Sequence, residues 1–343
     1  MSLRARLEKN ALRTMLALPR GLRRRLVAFA EPLGRRDLDT DLRTVLAASS
    51  LRPPLETLPP KAARKAFSEL FQLLDVPREA VAAVADHALK HDSGHFRVRV
   101  YRPLGVGDLA LPGILFFHGG GHTIGSVDDY DHGCRLLANQ CGAVVASVDY
   151  RLAPEHRFPA AAEDALAAWA WFTDNAVELG VDPKRLAVMG DSAGGNLAIV
   201  VAQQARRCKM PRPAVQCLVY PTTDARRKTD SMTAYGEHLG LTRSLIRYFD
   251  DHYLGDPADA RHPEVSPILH RNLKTQPKTL LVVCKDPLRD EGLAYGKRLE
   301  DAGVEVTTLD YPQLIHGFYG MGGMVPAART AVLEIFGTLG KML

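Results

Sequence analysis

Gly190-Asp191-Ser192-Ala193-Gly194-Gly195 follows the apolar run 185–189 and leads into an apolar, helix-patterned segment at about 195–206. The reading as strand, sharp turn and helix makes specific demands. A reactive serine on such a turn has a strained backbone, and the residues two places away on either side must be small, hence Gly190 and Gly194. The helix that follows directs its first N–H groups and its positive dipole end at the reacting oxygen. The competing reading is a glycine-rich turn that binds phosphate. It lacks the lysine of a P-loop, and no G-x-G-x-x-G stands at this turn. Ser192 is therefore read as a nucleophile.

Outward from this turn the chain alternates short apolar runs with helical patterns. Runs at 113–117, 143–148, 215–220, 279–284 and 305–309 read as buried strands. Residues 160–179, 292–302 and 327–339 read as helices between or after them. Phe96, Val98 and Val100 alternate with Arg97 and Arg99, as in a half-exposed strand. Residues 61–88 read as mostly helix or loop. Such alternation predicts an α/β fold with a mainly parallel sheet covered on both faces. Residues 225–263 break the rhythm, being polar, aromatic and punctuated by proline and glycine, and read as an insertion. No internal repeat or low-complexity tract is evident.

Composition narrows the class. The chain has 343 residues, 46% hydrophobic and 24% charged, enough to bury a sizeable core, which excludes disorder, collagen and coiled coil as the main state. A net charge of +5 is mild and gives no reason to expect nucleic acid. Five scattered cysteines without a CxxC pair read as reduced thiols, and a cytoplasmic setting is expected. No run approaches the length of a membrane span. The charge is uneven: residues 1–36 carry ten basic and two acidic side chains, a local net of +8. Leucines near helical spacing (Leu3, Leu7, Leu12, Leu16), then Leu22, Leu26 and Phe29, allow a basic amphipathic helix with weak peripheral contact to anionic membrane. The favoured alternative is an arginine-studded helix packed on the protein, since arginine stems also cover apolar surface.

His118-Gly119-Gly120-Gly121 closes the run at 113–117. Its glycines let backbone N–H groups approach a ligand closely, and together with the Ala193 N–H they can form an oxyanion hole. His118 and His122 are four apart, but the intervening glycines disfavour a helix and no carboxylate motif accompanies them, so no metal is expected. His118 reads as a hydrogen-bonding residue that orients the loop. The order serine, acid, histidine places the remaining partners downstream. Asp286 follows the strand run at 279–284, and strand C-terminal ends carry catalytic groups in such sheets. Asp290 and Glu291 are rivals that read better as helix N-terminal residues. His316 is the only histidine beyond residue 270. Arg151 and Glu155 are read as a pair bracing the loop that follows the run at 143–148. Trp169 and Trp171 are read as core or helix-packing residues. Tyr235, Tyr248, Phe249 and Tyr253 are read either as a lid on an acyl pocket or as packing of the insertion.

The motifs HGGG at 118–121, YRLAPEHRFPAA at 150–161, GDSAGGN at 190–196, DPLRDEG at 286–292 and HGF at 316–318 stand in one order, with SPIL at 266–269. In this set the chain resembles the hormone-sensitive-lipase-like family of α/β-hydrolase carboxylesterases and lipases (bacterial family IV), firmly over about 90–343. The resemblance implies the α/β-hydrolase fold with a helical cap. It divides the chain into an N-terminal helical or cap region at 1–85 and a catalytic domain at 86–343, with a cap insertion at about 225–263. It implies Ser192 as nucleophile, Asp286 as acid, His316 as base, and Gly120, Gly121 and Ala193 as oxyanion donors. Hydrolysis of short- to medium-chain acyl esters through an acyl-serine, without cofactor, is the expected activity, in a monomer or homodimer. An amidase or deacetylase shares the same machinery, and a non-catalytic ligand-binding homologue is the other alternative. Two positions depart from the family pattern: His122, where an aromatic is common, and Lys285 before the acid.

Overall fold

A computed structural model of the chain describes residues 3–27, 37–91, 94–107, 110–237 and 239–343. Phe29, Arg35 and Arg36 of the basic N-terminal pattern lie outside them. The chain forms an eight-stranded sheet: β1 (Ala83–His91), β2 (Gly94–Arg102), β3 (Leu111–Phe117), β4 (Val144–Asp149), β5 (Val181–Asp191), β6 (Val215–Val219), β7 (Lys278–Cys284) and β8 (Val306–Tyr311). Their order is β1-β2-β4-β3-β5-β6-β7-β8. The β1–β2 and β2–β4 pairs are antiparallel and every other pair is parallel.

The central strands are apolar on both faces because both faces are covered. In β3, Ile114 and Phe116 face one core while Leu115 and Phe117 face the other. In β5, Ala187 and Met189 alternate in the same way with Leu186 and Val188. Helices α5 (Asp131–Cys141) and α11 (Pro326–Met342) cover the first face, placing Leu136, Leu137, Ile335 and Phe336 in its core. The second is covered by α6 (Ala160–Asp174), α7 (Ala193–Gln204) and α10 (Arg289–Asp301), with Trp169, Leu197 and Leu299 fully buried. Trp169 donates to the Pro211 carbonyl at 2.8 Å, which satisfies its one polar group.

The N-terminal region contains α1 (Leu3–Ala17), α2 (Arg20–Val27), α3 (Thr40–Ser49) and α4 (Pro60–Leu74). Leu12 of α1 is buried, and Leu16 packs on the first core. Glu8 pairs with Arg52, Arg23 pairs with Asp41, and Lys9 donates to the Gln72 carbonyl. Leu7 and Leu22 remain exposed. The insertion folds into α8 (Asp230–Tyr235) and α9 (Arg243–Tyr253), followed by a 3-10 turn at Pro257–Arg261. No helix among the described residues is long and apolar enough to cross a membrane.

Two expectations are corrected. Residues 83–88, read as helix or loop, belong to β1, an edge strand exposed over most of its length. Exposure removes the apolar alternation that marks a half-buried strand, and the expected boundary at 85–86 falls inside it. Arg151 does not pair with Glu155. It is held by the buried Asp164, whose carboxylate takes the Arg151 backbone N–H at 2.8 Å and Nε at 2.9 Å. Glu155 pairs with Arg64 of α4 instead.

Candidate active site

The turn after β5 has the strain that its glycines predict. Ser192 adopts φ 55°, ψ −119°, in the left-handed half of backbone space that non-glycine residues rarely enter. A Cβ on Gly190 would collide with the Gly194 carbonyl, and one on Gly194 would collide with the Phe117 carbonyl at the end of β3. The turn is fixed from outside as well, since the Ser192 N–H donates to Val219 O at 2.9 Å. Ser192 stands at the mouth of α7, in the middle of the sheet.

Asp286 and His316 converge on it from two other strand ends. His316 Nε2 is 2.9 Å from Ser192 Oγ, and His316 Nδ1 is 2.6 Å from Asp286 Oδ2. Asp286 is fully buried, and its other oxygen accepts the Leu288 N–H at 3.0 Å. The imidazole lies against the Tyr220 ring at 4.5 Å. Asp290 lies elsewhere: it accepts the Ser231 N–H at 2.7 Å and ties α10 to α8. Glu291 is buried beneath the loop after β6, accepting the Thr223 and Asp224 N–H groups, and burial pushes its carboxyl up to about 7.

The HGGG loop wraps over the same point. Gly120 (φ 116°) and Gly121 (φ 58°) use backbone space open to glycine, and a Cβ on Gly121 would run into the Phe249 ring. No backbone carbonyl among the described residues accepts the Gly120, Gly121 or Ala193 N–H. His118 is fully buried, stacked on Tyr150 at 4.3 Å, with Nδ1 2.8 Å from Gly119 O. Among the described residues no group of histidine, cysteine and carboxylate side chains is arranged to hold a metal.

Two braces lay beyond sequence reasoning. Asp191 accepts the Gly119 N–H at 2.7 Å and the Tyr130 and Tyr220 hydroxyls at 3.2 and 3.3 Å, so it joins the serine turn to the glycine loop. Burial pushes its carboxyl up to about 6. Its place inside the GDSAGG motif was the available signal. Arg64 on α4 donates Nε to Thr123 O at 2.9 Å and Nη2 to Ala153 O at 2.7 Å. Nothing in the local sequence marks it.

Above Ser192 opens a cavity of about 220 Å³. Phe67, Leu70 and Phe71 of α4 form one wall, and Leu245, Ile246, Phe249 and Tyr253 of α9 form another. Tyr235 and Tyr248 stay outside the lining; the Tyr248 hydroxyl donates to Leu58 O at 3.1 Å. Lys285 also stays outside, paired with Asp37 and lying over the Tyr235 ring.

The model of the Abhydrolase_3 family, described as alpha/beta hydrolase fold, matches residues 114–320. The chain belongs to this family. Its relatives include a protein named ethyl acetate hydrolase from Pseudomonas putida, 37% identical over 84% of this chain and 92% of that protein. Carboxylic ester hydrolase LipN from Mycobacterium tuberculosis is 43% identical over 73% of this chain and 69% of its own length. Among solved structures, this α/β-hydrolase is similar to an ester hydrolase from the metagenome of Lake Arreo, with TM-score 0.85 and 38% identity over 89% of this chain and 98% of that one. It is also similar to an esterase of Pyrobaculum calidifontis, with TM-score 0.79 and 40% identity over 84% and 94% of the two chains.

Proposed function

We propose that this α/β-hydrolase cleaves small carboxylic esters through an acyl-serine intermediate formed on Ser192. The observation that carries the reading is the continuous row from Ser192 Oγ through His316 to the buried Asp286. His316 Nε2 takes the hydroxyl proton as Oγ attacks the ester carbonyl. The carbonyl oxygen becomes an oxyanion held by the Gly120, Gly121 and Ala193 N–H groups. His316 then passes the proton to the leaving alcohol, and Asp286 holds the imidazole tautomer and stabilises the imidazolium. Water repeats the sequence on the acyl-serine and releases the acid. Apart from the ester and the attacking water, every group in these steps belongs to the protein.

The relatives' names point to ester bonds, and the cavity, apolar over the α4 and α9 side chains, suits short to medium acyl chains. We assign α4 and the insertion a cap role because they supply both walls. The five unpaired thiols agree with a reducing, cytoplasmic setting. The test is turnover of nitrophenyl esters from acetate to palmitate, beside a nitroanilide. Wild type is expected to hydrolyse the shorter esters, and Ser192→Ala to lose about 10⁴-fold or more in kcat. Anilide turnover equal to that of the matching ester would move the reading to an amidase.

A further inference from the structure

A buried carboxylate with no arginine beside it stands behind the catalytic row. Asp191 is 4% exposed, and its three hydrogen-bond donors, the Gly119 N–H and the Tyr130 and Tyr220 hydroxyls, are all neutral. Asp131, Asp164 and Glu291 are buried too, and they face Arg135, Arg151 and Arg227 in turn. No lysine or arginine among the described residues pairs with Asp191 in this way. A buried charge is costly unless it is paired, so its place in the fold needs a reason.

Tyr220 links Asp191 to the site, and its own backbone is strained. It follows β6 at φ 36°, on the left-handed side where a bulky residue is rare. Its N–H donates to Val282 O at 2.7 Å, which fixes that turn. The ring lies against the His316 imidazole, centroids 4.5 Å apart, and meets Phe318 edge-on at 5.3 Å. The hydroxyl donates to Asp191 Oδ2 at 3.3 Å and accepts the Tyr319 N–H at 3.4 Å. One side chain therefore ties the carboxylate beside the nucleophile to the loop that carries the base.

The groups around this link leave His316 as the cation that Asp191 answers to. Burial pushes the Tyr130, Tyr150, Tyr220 and Tyr319 phenols and the Cys134 thiol up, so all five stay neutral. Burial pushes His118 down, so it stays neutral as well. Asp286 takes the imidazole through Nδ1, and the Cys284 thiol next to it is kept neutral by burial. Burial pushes the Asp191 carboxyl up to about 6, and the His316 charge is the largest influence opposing that rise. A carboxylate so placed favours the imidazolium, the form His316 takes as Oγ attacks.

We propose that Asp191 is a positioning residue for the reaction: with Tyr220 between them, it acts as a second buried counter-charge to the His316 imidazolium, in addition to Asp286. The inference rests on the esterase reading above.

The experiment follows kcat and kcat/KM for nitrophenyl butyrate from about pH 5 to about pH 9 in wild type, Asp191→Asn and Tyr220→Phe, with melting temperature as the check on folding. Asparagine at 191 can still accept the Gly119 N–H, so it removes the charge and keeps the brace. The acid limb of its kcat/KM profile is expected to move to lower pH by about half a unit or more, and its plateau kcat to fall by about threefold or more. Tyr220→Phe keeps the ring against His316 and removes one donor to the Asp191 carboxylate. Its limb is expected to move the same way by less. A brace alone would lower the plateau and leave the limb in place. Limbs that coincide in the three proteins, or that move to higher pH, would overturn the proposal. If Asp191→Asn does not fold, Tyr220→Phe decides by the same criterion. Wild-type turnover with an unmoved limb defeats this inference alone. No ester turnover by wild type defeats the functional reading, and this one with it.

Discussion

At the scale of single residues, the site is built from groups whose alternatives the structure separates by contact. Asp286 and Asp290 are four residues apart and chemically identical. Asp286 meets His316 Nδ1 at 2.6 Å while Asp290 is engaged with the Ser231 backbone. Asp286→Asn is expected to favour the wrong imidazole tautomer and to lower kcat on the order of 10⁴-fold. Asp290→Asn keeps an oxygen that can accept the Ser231 N–H, and should cost far less. Equal damage from the two substitutions, in proteins that melt alike, would show the acid to be misassigned. The choice between them was legible in sequence because a strand end is marked by its apolar run and a helix start by its acids. His122 was legible only as a departure from a motif. Its buried ring stacks on Tyr253 of α9, more than a hundred residues away in sequence.

At the scale of elements, the glycine loop is held by a helix far from it in sequence. Arg64 of α4 grips Thr123 O and Ala153 O, and Thr123 in turn donates its N–H to Gly120 O at 3.0 Å and its hydroxyl to Gly121 O at 3.0 Å. The Gly120 and Gly121 backbone, proposed to supply oxyanion donors, is thus positioned through a chain of bonds that begins in the N-terminal region. Losing one oxyanion donor outright typically costs 10²- to 10³-fold in kcat, so loosening the loop should cost less. Arg64→Ala is expected to lower kcat on the order of tenfold while leaving KM for a small ester nearly unchanged, and Arg64→Lys to recover part of the loss. A rise in KM alone would assign Arg64 to substrate binding and not to positioning. This contact lay beyond sequence reasoning because its partners are 59 and 89 residues away. The parallel strands were legible because burial on both faces writes them as apolar runs. The exposed edge strand β1 carries no such signature, and its neighbour β2 was found through the alternation that burial of one face imposes.

At the scale of the whole molecule, three buried carboxyls contribute to the response to pH. Burial pushes Asp75 and Glu291 up to about 7 and Asp191 up to about 6. For such groups the folded state holds its proton more tightly than the unfolded chain. Their contribution is therefore present below the ordinary carboxyl range and is lost as pH rises through about 6 to 7. Asp131 and Asp224 shift the other way, lowered by arginine hydrogen bonds that outweigh burial, so their stabilisation is lost only as pH falls below the ordinary carboxylate range. These five carboxyls alone make stability highest near the ordinary carboxyl range, about pH 4, and lower toward about pH 7 to 8, while the buried His118 and His122, whose pKa values burial lowers, act in the opposite sense below about pH 6.5. Glu291→Gln isolates one contribution. Its amide oxygen can still accept the Thr223 and Asp224 N–H groups, and Asp250 still holds Arg227. Relative to wild type, the variant is expected to gain in melting temperature as pH rises from about 5 to about 8, by a few degrees. Melting curves measured across that range would expose the opposite case: a constant offset between the two proteins would mean that Glu291 is ionised throughout and that the Arg227 charge outweighs its burial.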